Sequence, residues 1–393
     1  MFETLLKPEP DRILAAAAAA RADARPEALD LTVGVYKSEE GATPVLRAVK
    51  EAERRLLERQ ATKTYVGPTG DPAFGAAMIG LVFGEDAPRK RLRAAQTPGG
   101  GGALRLLADL AHRAERGAEV WLPDPTWPNH FGVLRQAGLG FRSYPYFDPA
   151  SRGVDFDRMT EALSEAGPGD VVLLHGCCHN PTGADLSPEQ WRALAGLAAE
   201  REFTPFVDLA YQGFGDGLDA DAEGVRILAA AVPELLVAAS CSKNFALYRE
   251  RVGCAFVLGA TPEAADLAFA NLGNLARANW SMPPDHGAAC VREILEDPGL
   301  RADWEAELAA MRERITGLRR SLAETLRARA NDDGFDFLRA HRGMFSLLGI
   351  DAARVVRLRE AHAVHCVPDG RINVAGLNAA GVRRLADALA ATA

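Results

Sequence analysis

The sequence predicts an α/β protein in which helices cover both faces of a mostly parallel sheet. Short apolar runs alternate with amphipathic stretches between about residues 100 and 260, a pattern typical of strands joined by helices. Residues 171–174 are apolar at every position, as expected of a parallel strand that is buried on both sides. Polar residues that follow such strands lie at one edge of the sheet, where proteins of this class bind ligands.

Further elements follow from local patterns along the chain. The strands of the sheet are predicted at AEVWLP, FRSYPYF, DVVLLHG, TPFVDLA, LLVAASCS and VGCAFVLG. The alanine run 15–20 predicts a helix, and helical spacing of apolar residues over 300–329 predicts a long helix that leaves the sheet. Beyond it, GMFSLLG, AVHCV and RINVAG are short strands among helical segments. We expect an N-terminal arm and part of a small domain over 1–45, a large domain over 46–305, and a small α+β domain over 306–393.

Composition and charge restrict the partners. The 393 residues include 45 Lys+Arg and 53 Asp+Glu, for a net charge of −8. This balance, without a dense basic block, argues against nucleic acid or an anionic membrane as the partner. We expect no targeting segment, and the alanine run is too short to span a bilayer. The six cysteines form no C-x-x-C pair, which predicts free thiols in a reducing, cytoplasmic compartment and no metal site.

The chain has six lysines and 39 arginines, and Lys243 is the only lysine beyond residue 90. It follows a predicted strand in SCSKNFALYRERVG, close to Ser240, Ser242 and Arg251. An arginine with two hydroxyl groups can bind a phosphate dianion. A partly desolvated lysine among cations loses its proton readily enough to form a Schiff base. The alternative is a solvated surface lysine.

Two neighbouring strand ends carry further polar groups. Asp208 ends the strand FVDL and Tyr211 follows it; a buried carboxylate needs a partner, which a protonated pyridine nitrogen would supply. A helix cap or turn is the alternative for Asp208. Asn180 precedes a proline in HGCCHNPTG, where its amide could donate to a phenolate oxygen that Tyr211 also contacts. Otherwise this segment is only a turn.

Four glycines at 99–102 lead directly into a helical pattern, which presents N–H groups and the helix dipole to a phosphate. A dinucleotide site is disfavoured because the G-x-G-x-x-G spacing is absent. Trp127 either offers a flat surface to a planar ring or packs in the core. His130 either orients a buried carboxylate or is structural.

Two arginines near turns are candidates for binding carboxylates. Arg371 opens a predicted strand in PDGRINVAG, where a planar guanidinium can bind a carboxylate through two parallel hydrogen bonds. Arg277 precedes a Pro-Pro turn in LARANWSMPPDHG. Because the chain is rich in arginine, a surface charge is the alternative for both.

In combination, these motifs resemble the aspartate and aromatic amino-acid aminotransferases, which are class I, fold-type I pyridoxal-phosphate enzymes. The resemblance covers nearly the whole chain and rests on LTVGVYKSEEGATPVLRAV, TKTYVGPTG, TPGGGGAL, DPTWPNH, HGCCHNPTG, DLAYQGF, SCSKNFALYRERVG, MPPDHG, HRGMFSLLG and GRINVAGLN. It implies a seven-stranded sheet, pyridoxal 5'-phosphate as cofactor, and a homodimer with active sites at the interface. It also implies ping-pong transfer of an amino group between aspartate or Tyr, Phe and Trp and 2-oxoglutarate or oxaloacetate.

The resemblance also implies roles for single residues. Lys243 forms the Schiff base and then carries the proton, and Asp208 pairs the pyridinium nitrogen with His130 behind it. The remaining contacts to the ring are implied for Asn180, Tyr211 and Trp127. The contacts to the phosphate are implied for Gly100, Gly101, Ser240, Ser242, Arg251 and, from the neighbouring subunit, Tyr65.

The substrate carboxylates are assigned in the same way. Arg371 would bind the α-carboxylate, with Gly34, Asn180 and Trp127 beside it. Arg277 would cross the dimer interface to a side-chain carboxylate.

Three departures from the family pattern affect these expectations. Gly101 replaces a threonine or serine, so one hydroxyl contact to the phosphate is missing. Met282 replaces an asparagine or serine and Trp280 replaces a tyrosine near the distal pocket, so its rim consists of larger and more apolar side chains. Matches to the aspartate-type members are Val35, Lys37 and Thr43, whereas SCSKNFALYRER is closest to members that accept aromatic substrates. We therefore predict dual specificity, with a lyase or decarboxylase on the same fold, or a catalytically silent binding domain, as alternatives.

Overall fold

The structure is a computed structural model that describes residues 1–7, 11–330 and 333–392. The chain divides into two compact units. The smaller one comprises Met1–Thr43, Pro181–Gly183 and Ile315–Ala393, and the larger one comprises Pro44–Asn180 and Ala184–Arg314. The domain boundaries predicted from the sequence, after residues 45 and 305, stay a prediction.

Strands and helices alternate along most of the chain. The strands are β1 (Leu29–Asp30), β2 (Leu92–Pro98), β3 (Glu119–Asp124), β4 (Gly140–Pro145), β5 (Phe147–Asp148), β6 (Gly153–Val154), β7 (Val171–His175), β8 (Thr204–Leu209), β9 (Leu235–Ser240), β10 (Val252–Leu258), β11 (Phe345–Leu347), β12 (Val364–His365) and β13 (Arg371–Asn373). The α-helices are α1 (Arg12–Ala22), α2 (Arg47–Arg59), α3 (Pro72–Phe83), α4 (Gly99–Ala114), α5 (Asn129–Gln136), α6 (Phe156–Leu163), α7 (Pro188–Arg201), α8 (Glu223–Ala231), α9 (Pro262–Asn279), α10 (His286–Glu296), α11 (Pro298–Ala330), α12 (Ala352–His362) and α13 (Ala379–Ala391).

The larger unit is built on one sheet of seven strands, counted over the described ranges, in the order β2-β10-β9-β8-β7-β3-β4. Only β10 runs against its neighbours in this sheet, while the pairs among β9, β8, β7, β3 and β4 are parallel. Every residue of β7, β9 and β10 is buried. The predicted helix-covered, mostly parallel sheet is therefore confirmed.

One hydrophobic cluster holds this sheet against its helices. Leu104 and Leu107 of α4 pack with strand residues such as Leu173 and Phe206, and Leu272 of α9 joins the same cluster. Each of these side chains is almost completely removed from water, so together they stabilise the sheet by the burial of apolar area. The cluster fixes α4, and with it the glycine turn where α4 begins.

The smaller unit contains two short pairs of strands. β1 pairs in parallel with β12, and β11 pairs antiparallel with β13, so that Leu347 lies opposite Arg371. The predicted long helix is confirmed as α11, and the predicted N-terminal alanine helix is confirmed as α1. No helix within the described ranges combines the length and the apolar character needed to cross a membrane.

Candidate active site

The predicted polar residues of the larger unit meet at the carboxyl edge of its sheet. β7 and β8 are in register there, with His175 opposite Asp208, and Asp208 lies opposite Ala238 of β9. Ser240 ends β9 and Lys243 follows it. His130 lies in α5, which follows β3. Parallel strands bring these side chains together because their carboxyl ends all meet at the same edge.

A directed chain of hydrogen bonds ends on Asp208. The backbone N–H of Asn180 lies 3.5 Å from Nδ1 of His175, and Nε2 of His175 lies 3.1 Å from Oγ1 of Thr126. Oγ1 of Thr126 is 2.8 Å from Nδ1 of His130, and Nε2 of His130 is 3.1 Å from Oδ2 of Asp208. Because an amide N–H only donates and a carboxylate only accepts, each histidine carries its proton on Nε2. His175 then donates to Thr126, and His130 donates to the carboxylate.

The electrostatics agree with this assignment. Burial opposes ionisation of Asp208, but the hydrogen bond from His130 and the neighbouring basic groups outweigh it and lower the pKa of the carboxyl group. Burial lowers the pKa of His175 to about 3, and His130 adds to this shift. At neutral pH the site therefore contains a buried carboxylate anion and a neutral His175, and such an anion favours a cationic partner.

Lys243 lies beside this anion at the end of β9. Its Nζ atom is 4.7 Å from the centroid of the Tyr211 ring, and its side chain is partly buried. Burial lowers the pKa of the amine, the charge of Arg251 adds to the shift, and the charge of Asp208 opposes it. An amine that loses its proton more readily than a surface lysine can act as a nucleophile and carry a proton.

The glycine turn forms a cradle for an anion. α4 begins at Gly99, and no side chain in the described part of the chain caps its N-terminus, so its first N–H groups are available to a ligand. Gly99 has a φ of +74°, and a Cβ atom there would lie 2.6 Å from Nη2 of Arg251. Arg251 in turn donates to Oγ of Ser242 at 3.4 Å. A Cβ on Gly100 would lie 2.8 Å from Cβ of Ser240, so this serine borders the same turn.

Two further predicted residues lie next to the Asp208 relay. The Trp127 ring stands edge-on to the His130 ring, with the centroids 5.3 Å apart. Asn180 is buried, and its backbone begins the hydrogen-bond relay. Of the predicted ring contacts, Trp127, Asn180 and Tyr211 are therefore all at this edge of the sheet.

The smaller unit holds a separate group of predicted residues. Arg371 of β13 is 3% exposed, and its Nη2 atom donates to the carbonyl oxygen of Thr32 at 2.8 Å. Its Cζ atom lies 4.4 Å from the centroid of the Phe345 ring. A Cβ on Gly34 would lie 2.4 Å from Cζ of Phe345, so only glycine lets the backbone approach the ring this closely. Phe345 therefore links Gly34 to Arg371.

Tyr65 and Arg277 lie outside the cluster at the sheet edge. Tyr65 is 85% exposed. Arg277 is also exposed, and its guanidinium donates to Oγ of Ser281, near the C-terminus of α9. The backbone N–H of Val66, next to Tyr65, lies 3.1 Å from Sδ of Met282. The segments that carry Tyr65 and Met282 are thus neighbours on the surface of the larger unit.

Sequence reasoning did not identify several residues that organise these groups. Thr126 and His175 complete the relay to Asp208. Arg319 is buried and donates to the carbonyl oxygens of Arg342, Gly343 and Phe345 and to the hydroxyl of Ser346. His175 carried a detectable signal, because it ends the apolar run 171–174 at the edge where the other polar residues were expected. Arg319 carried none, since it lies on a helix rich in arginines.

Comparisons with known proteins give one consistent result. The family model described as aminotransferase class I and II matches residues 26–389. The chain is 51% identical to tyrosine aminotransferase of Rhizobium meliloti (strain 1021), over 98% of each chain. It is 47% identical to aspartate aminotransferase of Escherichia coli (strain K12), over 100% of both. A solved aromatic-amino-acid aminotransferase from Burkholderia pseudomallei, covalently bound to pyridoxal phosphate, superposes with a TM-score of 0.97 at 41% identity, over 100% of this chain and 99% of that one.

Proposed function

The chain belongs to the class I and II aminotransferases, and from this premise we propose that it moves the amino group of aspartate and of aromatic amino acids to 2-oxoglutarate or oxaloacetate. It is a transaminase with the fold of the pyridoxal-phosphate enzymes of fold-type I, and pyridoxal phosphate is its cofactor. Relatives named for tyrosine and for aspartate are about equally similar to it, which supports acceptance of both substrate types.

The observation that carries the proposal is the pairing of a buried carboxylate with a partly buried amine at the carboxyl edge of the sheet. Asp208 is held as an anion by the hydrogen-bond relay, and Lys243 beside it has a lowered pKa. A buried carboxylate at this position favours a pyridine nitrogen that stays protonated, and a lysine that gives up its proton supplies the amine. Packing alone does not require Asp208 and Lys243, because two uncharged side chains at these positions would avoid the free-energy cost of burying charge.

The residues of the larger unit fit the cofactor. The uncapped N-terminus of α4 and the guanidinium of Arg251 suit its phosphate dianion, and we assign Gly100, Gly101, Ser240 and Ser242 to the same group. When bound, the cofactor supplies an electron sink that makes the α-proton of an amino acid acidic. Asp208 holds the charge on the pyridine nitrogen, Asn180 and Tyr211 hold the ring oxygen, and Trp127 covers the ring.

The catalytic steps that we assign to the chain are proton transfers at one nitrogen. The Nζ atom of Lys243 would take the proton from the α-carbon of the amino acid and deliver it to the cofactor carbon that receives the amino group, and the reverse transfer would complete the second half-reaction; this is general acid–base catalysis by a single amine. Because burial lowers the pKa of this amine, a larger fraction is available as the base near neutral pH. The His130 relay keeps Asp208 ionised while this occurs.

We assign substrate recognition to the five residues that the sequence predicts for it. Arg371 is proposed for the α-carboxylate, with Gly34, Asn180 and Trp127 beside the substrate. Arg277 is proposed for the side-chain carboxylate of dicarboxylic substrates. The apolar character of Trp280 and Met282 would favour aromatic side chains in the same pocket.

We further propose a homodimer in the cytoplasm. Tyr65 and Arg277, which we assign to the active site of the neighbouring subunit, are exposed in the single chain. The first residues are also unusual, because Phe2, Leu5 and Leu6 are 71 to 92% exposed, as expected of an apolar arm that packs on another subunit. All six cysteines are free and buried, which suits a reducing compartment.

Three measurements test this function. The purified protein should show visible absorbance that borohydride removes, and Lys243→Ala should lose it. Conversion of aspartate and of phenylalanine should depend on an oxo-acid acceptor, with parallel lines in double-reciprocal plots as ping-pong kinetics require. Release of ammonia or carbon dioxide without an acceptor would instead identify a lyase or decarboxylase, and a colourless protein that does not bind pyridoxal phosphate would identify a silent binding domain.

A further inference from the structure

Three side chains with different donor atoms meet between two helices of the larger unit. Glu53 lies on α2, while His286 and Cys290 lie four residues apart on α10, a spacing that places both on one face of a helix. Nε2 of His286 is 3.9 Å from Oε1 of Glu53 and 4.0 Å from Sγ of Cys290. The three donor atoms all lie within 4.8 Å of one another.

These distances are close to those of a tetrahedral metal site. In a tetrahedral site, bonds of about 2.0 Å to nitrogen or oxygen and about 2.3 Å to sulfur place a nitrogen and an oxygen ligand about 3.3 Å apart and a nitrogen and a sulfur ligand about 3.5 Å apart. The distances from His286 to its two neighbours therefore need to shorten by about half an ångström. The side chains of His286 and Glu53 are 48% and 41% exposed, so they can rotate inward, and an ion and a water molecule can reach the fourth position.

The charges around the cluster favour a cation. The carboxylates of Glu53, Glu250, Glu293 and Asp285 lie near the thiol of Cys290. Arg55 and Arg59 offset Glu293, whereas within the described ranges Glu53 forms no ion pair with an arginine or a lysine. The negative potential of these carboxylates attracts a divalent ion.

A second cluster, formed by Cys177, Cys178 and Asp221, is less suitable for an ion. Oδ2 of Asp221 accepts the backbone N–H groups of Gly213 and Gly215, and Oδ1 accepts that of Asp216. All three members are buried, so an ion would have to displace existing hydrogen bonds without access to water.

We propose that Glu53, His286 and Cys290 bind one divalent cation of the zinc class, with water as the fourth ligand, and that the ion ties α2 to α10. The combination of imidazole, thiolate and carboxylate selects zinc or cobalt(II) over magnesium or calcium. Binding forms a sulfur–metal bond in place of the S–H bond and releases that proton to solvent, with no change of oxidation state. The site departs from the sequence-based expectation that the chain has no metal site.

The test is a metal titration of tag-free, chelator-treated holoenzyme without amino-acid substrate. We expect one Zn²⁺ per chain, the visible spectrum of four-coordinate Co²⁺ with a thiolate band, a higher unfolding temperature, and no such response to Mg²⁺. Cys290→Ala, His286→Asn and Glu53→Gln should each weaken binding by at least about tenfold. His286 and Glu53 are partly exposed, so their variants test the site even if Cys290→Ala fails to fold.

The matched control is Cys366→Ala, because Cys366 is another buried free thiol and lies outside the cluster. It should bind Zn²⁺ as the parent chain does. Absence of saturable binding would overturn the proposal, and so would equal affinity in the parent chain, His286→Asn and Glu53→Gln. A Co²⁺ spectrum without a thiolate band would also overturn the assignment of Cys290.

Discussion

The glycine turn at the start of α4 allows a direct test of the phosphate assignment, through Gly101→Ser. A Cβ atom at Gly101 meets no other atom within 4 Å, whereas one at Gly100 would lie 2.8 Å from Cβ of Ser240. Serine at 101 therefore fits without displacing a neighbour, and under the phosphate assignment that we propose its hydroxyl can donate to the phosphate. Gly101→Ala is the matched control, because it adds the same Cβ without the hydroxyl.

The magnitude follows from these contacts. A hydrogen bond to a charged group contributes about 1.5 to 3 kcal/mol, so pyridoxal phosphate should bind at least about tenfold more tightly to Gly101→Ser. Gly101→Ala should stabilise the folded chain by about 0.5 to 1 kcal/mol, because alanine is the better helix residue, and should leave cofactor affinity unchanged. Gly100→Ala should cost about 1 to 3 kcal/mol from overpacking against Ser240 and should weaken cofactor binding.

The assay is equilibrium binding of pyridoxal phosphate to the apo form of each variant, followed by the growth of visible absorbance, with urea denaturation for stability. If Gly101→Ala and Gly101→Ser increase the affinity for pyridoxal phosphate equally, the increase comes from better helix order and the hydroxyl contact is refuted. Unchanged affinity in Gly101→Ser would show that this turn does not face the phosphate. Unchanged affinity and stability in Gly100→Ala would contradict the close approach of Ser240.

Further predictions concern the substrate, the dimer and the relay. Arg277→Ala should lower kcat/KM for aspartate by about 10- to 150-fold, because only aspartate leaves a charge unpaired, with little change for phenylalanine; equal losses would contradict the role of Arg277. A mixture of Lys243→Ala and Arg277→Ala chains should recover about a quarter of the activity towards aspartate, because a hybrid dimer has one intact site if Arg277 acts across a two-fold interface; no recovery would place Arg277 in its own subunit's site. The folded-state pKa of His175 is about 3, below its ordinary value of 6.5. The contribution of neutral His175 to the free energy of unfolding is therefore present above pH 6.5 and is lost as the pH falls towards 3. His175→Gln should therefore lose about 2 kcal/mol less stability than the parent chain between pH 7 and pH 5, as measured by urea denaturation, and parallel losses would refute the burial of neutral His175.

Much of the fold and the site could be predicted from local patterns. Continuous apolar runs identified the buried strands, and polar residues directly after them identified the sheet edge at which Asp208 and Lys243 meet. The direction of β10 was beyond such patterns, because an apolar run reads the same in a parallel and an antiparallel strand. Local patterns also could not predict the relay through Thr126 and His175, because the contacts between its members depend on the register of β7 and β8.

The sequence by itself determined that this is a helix-covered, mostly parallel sheet protein and an aminotransferase, because chemically distinctive residues such as Lys243 recur in a recognisable order along the chain. Only the tertiary structure decided which glycine of the turn has free space, how Asp208 is kept ionised, and that Glu53 meets His286 and Cys290. These properties depend on differences of a few tenths of an ångström in the distances between residues that are far apart in sequence. Such distances are set by strand register and helix packing, which local sequence patterns do not encode.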